Sequence, residues 1–211
     1  MELKDKYIIK EKVVIKEKDE NYYIPKENLI ATLSWTYPID LDLYGIYRLK
    51  NGREGTIYYH NLGSLETSPY ISLDKDEGVG DVGGDNEENM RFKDLSQIQH
   101  LLIVANIYKK KNVNFAQYDG KVVVSASNGQ GFEVPLTEQE TGSWCVVARV
   151  ENTDLIGPKL FNVNKVFKNR PKIDYFTGEL TGNNGEVKTI PNPPPVVKQK
   201  SFINKVLDIF R

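Results

Sequence analysis

The chain has 211 residues, of which 39% are apolar, and a formal net charge of -1 at neutral pH. That length and apolar content support one good core and at most a small appendage. Cys145 is the only cysteine, which excludes an intrachain disulfide and any multi-cysteine zinc site.

The near-zero net charge conceals a lopsided distribution. Between Asp74 and Glu88 there are seven carboxylates against the single base Lys75, whereas from Lys159 onward ten Lys/Arg stand against four Asp/Glu. Those bases are mixed with Pro, Asn and Gly rather than lining one face, so no nucleic-acid partner is expected. The N-terminus is charged throughout and lacks the apolar core of a signal peptide. No run approaches bilayer-spanning length either, and a cytoplasmic location is expected.

Taken in chain order, Tyr7 to Lys18 alternates Lys/Glu with Ile/Val, a period near two that predicts a long strand or hairpin arm. Leu29 to Tyr37 and Leu43 to Leu49 read as two strands divided by Pro38 and Asp40-Leu41-Asp42. Asn51-Gly52 supplies a tight turn, which predicts that Leu43 to Lys50 pairs with Thr56 to His60. A short helical piece is expected around Asp94 to Gln99. Leu101 to Tyr108, the run LLIVANIY, has strand length and continuous apolarity, as a strand buried on both faces requires. Further strands are predicted at Asn114 to Tyr118, Lys121 to Ser127, Gly131 to Leu136, Trp144 to Val150 and Leu160 to Val166. Turn residues punctuate them at Asp119-Gly120 and Asn128-Gly129. Short strands at such spacing predict an all-β, two-sheet sandwich over residues 1–168.

Residues 169–200 are rich in Gly, Asn and Pro and read as a linker. Beyond them, Ser201 can cap a short amphipathic helix over 201–211, with Phe202, Ile203, Val206, Leu207 and Phe210 on one stripe. So short a helix is unstable alone in water. It is expected to dock on its own domain, on a second copy or on a protein partner, with peripheral membrane contact as a further alternative.

The chemistry is concentrated in the acidic stretch, where four glycines separate clustered carboxylates. Glycine lets the backbone coil tightly and turn its carbonyls inward. Calcium takes roughly six to eight oxygens from carboxylates, amides and backbone carbonyls. Crowding like charges costs about 1 kcal/mol per close pair even in bulk water, and a divalent cation reverses that cost. Asp74, Asp76, Asp81, Asp85, Asn86, Glu87 and Glu88 are therefore candidate Ca2+ ligands. Asp40 and Asp42, an i, i+2 pair at a strand end, either join them or turn the chain. Gly78-Val79-Gly80-Asp81-Val82-Gly83 matches the glycine spacing of dinucleotide loops, but the adjacent carboxylates repel a pyrophosphate. Asp74-Lys75-Asp76 resembles the start of an EF-hand loop, yet Val79 stands where glycine is required and Asp85 where glutamate is required.

Asp40-Leu41-Asp42, Tyr58-Tyr59-His60-Asn61, the stretch Gly80 to Glu87, and Leu101 to Tyr108 followed by Asn114-Phe115 resemble, in order and spacing, the TerD-like tellurite-resistance and stress-protein family. The resemblance covers about Leu29 to Val166. It implies a β-sandwich that binds calcium through an acidic loop, linked to tellurite, phage and general stress resistance, with no known catalytic activity. By position it places the family's Asp-Leu-Asp on Asp40, Leu41 and Asp42, its early loop aspartate on Asp76, and its Gly-Asp-Asp-Glu on Gly84, Asp85, Asn86 and Glu87. Asn86 replaces a usual aspartate, removing a charge, and Trp144-Cys145-Val146 stands where the family has Trp-Lys-Phe.

No catalytic constellation emerges from the remaining residues. His60 and His100 are far apart in sequence, and Cys145 sits in an apolar strand where burial keeps a thiol protonated. A non-enzymatic binding module or scaffold is expected. The alternatives are a self-assembling sandwich subunit and a divalent-metal enzyme acting on a phosphate-bearing substrate.

Overall fold

A computed structural model describes residues 7–74, 86–108 and 113–174, together with the paired two-residue strands Leu180–Thr181 and Val187–Lys188. The proposed linker beyond Thr181 and the 201–211 helix fall largely or wholly outside these residues, as do Asp76, Asp81 and Asp85.

Two sheets face one another. In chain order the strands are β1 (Glu11–Val14), β2 (Asn21–Tyr23), β3 (Glu27–Trp35), β4 (Leu41–Leu49), β5 (Glu54–Ile57), β6 (Gly63–Ser64), β7 (Ile71–Leu73), β8 (Asn86–Asp94), β9 (Ile98–Ile107), β10 (Lys121–Ala126), β11 (Gln130–Pro135), β12 (Trp144–Glu151) and β13 (Lys159–Phe167). One sheet has seven strands in the order β1-β11-β10-β3-β8-β7-β6, and the other six in the order β2-β13-β12-β9-β4-β5. The bend after Trp35 thus carries the chain from one sheet to the other.

The core between the sheets is built by the period-two alternation of each strand. Leu29, Ala31 and Leu33 of β3 meet Leu41, Leu43, Ile103 and Ala105 across it. Gly45 has no side chain because Met90 from the opposite sheet fills that space, with its sulfur 2.7 Å from where a Cβ would stand. β9 is buried on both faces, as its apolar run predicts. Its outward residues Leu102 and Val104 join Tyr44, Ile46, Val146 and Ile173 in a second apolar cluster on the outside of the six-stranded sheet.

Several expectations need correction. The N-terminal arm is only the four-residue edge strand β1, pairing in parallel with β11 from Glu11 opposite Gln130 to Val14 opposite Glu133. The chain then crosses sheets to β2, which pairs with β13. Asn114 to Tyr118 is not a strand: Phe115–Tyr118 is a 3-10 turn closed by Asp119 at φ 49°, with Phe115 buried as its anchor. The helical piece at Asp94 to Gln99 is instead a turn running into β9, fixed by the Asp94 carboxylate accepting from Ser96 N. The β4–β5 hairpin forms as predicted, with Gly52 at φ 83°, but β5 ends at Ile57 rather than His60. Finally, Asn86 to Glu88 opens the nine-residue strand β8 rather than closing a loop, because Met90 and Phe92 continue its alternation into the core.

Candidate metal centre

One end of the sandwich gathers stretches that are remote in sequence. β7 and β8 form a hairpin, with Leu73 opposite Met90 and Asp74 N donating to Asn89 O at 2.9 Å, so residues 75–85 connect their ends at the start of β8. Directly across the core lies the start of β4. β5 pairs with β4 only from Gly45 to Arg48, which leaves Leu43 N–H without a strand acceptor on that side. Glu88 supplies one: its buried carboxylate accepts from Leu43 N and ties the two sheets together. The bend between β3 and β4 is fixed at the same end, where Trp35 Nε1 donates to Ile39 O (2.9 Å) and Asn86 Nδ2 donates to Trp35 O (3.4 Å). Asp40 O accepts from Tyr108 N at 3.0 Å, closing the end of β9 over the same corner.

The candidate ligands therefore divide by strand face. Glu88 points into the sandwich, and Glu87 is on the opposite face of β8, where its carboxylate accepts from Asn89 Nδ2. Thr32 Oγ1 in turn donates to Asn89 Oδ1 at 2.7 Å. Asp74 is held by Arg91 at 3.3 Å. Strand alternation makes it impossible for Glu87 and Glu88 to point the same way. Asp42 is buried on the outer face of β4, directly opposite Asn106 of β9, which itself stands opposite Trp144 of β12. Asn106 Nδ2 donates to Ser143 O at 2.7 Å.

Beside Asp42 on that face, Tyr44 stacks on Tyr58 (ring centroids 5.6 Å apart) and meets Trp144 edge-on (4.9 Å) and Tyr59 (6.2 Å). Burial, then the Asp42 carboxylate and Tyr59, push the Tyr44 phenol far above its ordinary value, so it stays protonated. Tyr58 to Asn61 forms a closed turn, with Tyr58 N donating to Asn61 O and Asn61 N to Tyr58 O. The rings of this cluster come from β4, β12 and the turn after β5, so of the whole cluster the run Tyr58-Tyr59-His60 is what the sequence shows side by side.

The described donors at this end are carboxylate and amide oxygens, the set a hard cation prefers. Asn114 Oδ1, at the loop that follows β9, is buried with no hydrogen-bond partner among the described residues. Among those residues no group of three or more His, Cys, Asp or Glu side chains converges as a metal site. The remaining candidates Asp76, Asp81 and Asp85 lie outside them. Cys145 is buried in β12, and burial drives its thiol pKa well up, leaving it unreactive.

Among solved structures, the chain is similar to a homologue of the telluride resistance protein TerD from Streptomyces coelicolor A3(2), with a TM-score of 0.50 and 16% identity over 70% of this chain and 94% of that one. The fold is TerD-like. A second similar structure, of a protein of unknown function, has a TM-score of 0.50 and 13% identity, covering 67% of this chain and 92% of that one. No protein-family model and no curated protein matches the sequence. At these identities the likeness speaks for the fold alone. No described helix is long and apolar enough to cross a membrane.

Proposed function

We propose that this chain is a calcium-binding, non-enzymatic module of the stress-response type, acting in the cytoplasm as a scaffold whose acidic loop is ordered by the metal. The observation that carries this reading is the convergence at one end of the sandwich. The Glu88–Leu43 bond brings the start of β8, which the acidic glycine-rich stretch precedes in the chain, against β4, at whose start Asp40-Leu41-Asp42 stands. Asp40, Asp42, Asp76, Asp81 and Asp85 are the carboxylates proposed to hold the ion. Glu88 serves chiefly as the tie that positions β8, while Asp74 and Glu87 have partners on the outer face of the seven-stranded sheet. Bound calcium would supply the positive charge that lets several carboxylates share one corner.

Titration calorimetry with calcium is the test. Heat is expected for the wild-type chain, together with its loss in Asp42→Asn and in the pair Asp76→Asn and Asp85→Asn. Absence of heat at millimolar calcium, or unchanged binding in all these variants, refutes the metal assignment. In a panel of nucleotides and phosphoesters with calcium or magnesium, no turnover is expected, and any metal-dependent turnover lost with Asp42→Asn argues for the enzyme alternative.

A further inference from the structure

Residues 152–158 join β12 to β13 at the end of the sandwich opposite the start of β8, and they hold two apolar side chains out into water. Leu155 is fully exposed and its neighbour Ile156 is 73% exposed. Both feet of the loop are fixed. The buried Asn152 donates from its backbone N to Gln99 O and from Nδ2 to Leu95 O, and Ile24 N donates to Pro158 O, each at 2.9 Å. Between the feet, Asp154 accepts from Ile156 N (2.9 Å), Tyr23 Oη (2.8 Å) and Lys159 Nζ (3.0 Å). Gly157 closes the loop at φ 151°, a backbone conformation in which a side chain is strained. Single exposed apolar residues are ordinary, but an adjacent pair on a preordered tip marks a contact site, because docking costs it little further ordering.

The charges around the tip narrow what it meets. Lys26 Cε lies 3.6 Å from where a Cβ on Gly157 would stand, and Lys50 N donates to Gln97 O beside the turn that Asn152 grips. Lys26, Lys50 and Arg53 are exposed and form no salt bridge among the described residues. The carboxylates at this end are mostly engaged: Asp154 by Lys159, Glu54 by Arg48, Glu151 by Arg149, and Asp94 by Ser96 N, with Glu27 as the exception. The opposite end carries Asp74, Glu87 and Glu88, with four further carboxylates between Asp74 and Glu87 in the sequence. An anionic surface therefore repels that end and meets this one. Residues 170–174 form a strap over the outer face of the six-stranded sheet, with Ile173 buried against it, and the strap ends where Asp174 pairs with Arg48 near the end of β4. Beyond it, from Lys188 onward, five bases stand against the single side-chain carboxylate Asp208.

We propose that the Leu155-Ile156 tip inserts into a bilayer that carries anionic lipid, with Lys26, Lys50 and Arg53 meeting the headgroup phosphates. A pocket in a protein would suit the apolar pair as well but would leave these bases without a role. Two apolar side chains bind a membrane only marginally, so the contact is reversible and depends on the bases. The inference is independent of the calcium assignment at the other end.

Vesicle flotation tests it. The full chain should float with vesicles of phosphatidylcholine and phosphatidylserine, in chelator as in calcium, and should not float with phosphatidylcholine alone. Because the tip is exposed, Leu155→Ser with Ile156→Ser should leave the unfolding midpoint unchanged while lowering the partition constant roughly tenfold. Lys26→Glu with Lys50→Glu should lower it by about the same factor at low salt. Cys145 is buried, so Leu155→Cys offers one reactive thiol for an environment-sensitive dye. That dye should shift to the blue on adding anionic vesicles, whereas the same dye at Lys121→Cys, exposed at the opposite end, should not. No flotation with anionic vesicles, equal flotation with neutral ones, or a tip variant that floats like the wild type overturns the proposal. Flotation that needs calcium and survives the tip substitutions belongs to the acidic end, and flotation lost only on deleting residues 201–211 belongs to the tail; either result also overturns it.

Discussion

The two sheets turn different outer faces away from their shared core. The seven-stranded sheet shows polar side chains outward: Thr32, Glu87, Asn89 and Arg91 interact along and across β3, β8 and β7, and Lys12 reaches Glu133 at 2.9 Å on the other side. The six-stranded sheet hides an apolar and aromatic face beneath the 170–174 strap and the Tyr58 to Asn61 turn. Strands of the first sheet need only one apolar face and so alternate, whereas β9 at the centre of the second needs two. A sheet that is apolar on both sides requires a further layer, and here the chain supplies that layer from beyond its last sandwich strand.

The same substitution on the two faces gives the sharpest contrast. Val104→Asp puts an unpaired carboxylate under the strap and should cost about 4 kcal/mol or more in urea unfolding. Val123→Asp, on the outer side of β10 between the buried Val122 and Val124, should cost about 1 kcal/mol. Equal costs would mean that the six-stranded face is open to water. Next in size is the tie between the sheets. Glu88→Ala strands the buried Leu43 N–H and should lower stability by about 2 kcal/mol, with faster hydrogen exchange at Leu43; unchanged exchange there would show that the two ends are joined by other means.

The smallest effect lies at the opposite end, in the connection between β12 and β13. Asp154 accepts from Ile156 N, Lys159 Nζ and Tyr23 Oη, and these bonds, the backbone one foremost, hold its pKa down to about 2. Its folded pKa is below its ordinary value of about 4, so its contribution is complete above that value and is lost as pH falls toward about 2. The stability difference between wild type and Asp154→Asn should therefore be constant at neutral pH and vanish between about pH 4 and pH 2. A difference that persists below that window would assign the effect to packing.

Much of the frame was legible in the chain. The central strand β9, the hairpin at Gly52 and strands β10 to β13 all follow from apolar periodicity and turn residues, since each is decided by side chains close in sequence. β8 was not legible: its first residues Asn86, Glu87 and Glu88 carry the charge of a loop, and only Met90 and Phe92 packing into the core make them strand. The linker boundary at residue 169 failed to register the strap for a related reason. Pro171 and Ile173 are isolated apolar residues in a polar stretch, and their burial depends on a sheet face assembled from β4, β9 and β12.

The sequence by itself thus determined an all-β chain with one core and one acidic stretch, because alternation, turn chemistry and local charge are short-range properties. Only the tertiary structure decided that Glu87 and Glu88 part company across β8, that Asp42 lies beside Tyr44 rather than beside the core, and that residues 170–174 close a second apolar layer. Those outcomes depend on which strands become neighbours, and neighbours in a sandwich are set by the burial of whole faces rather than by any single stretch of residues.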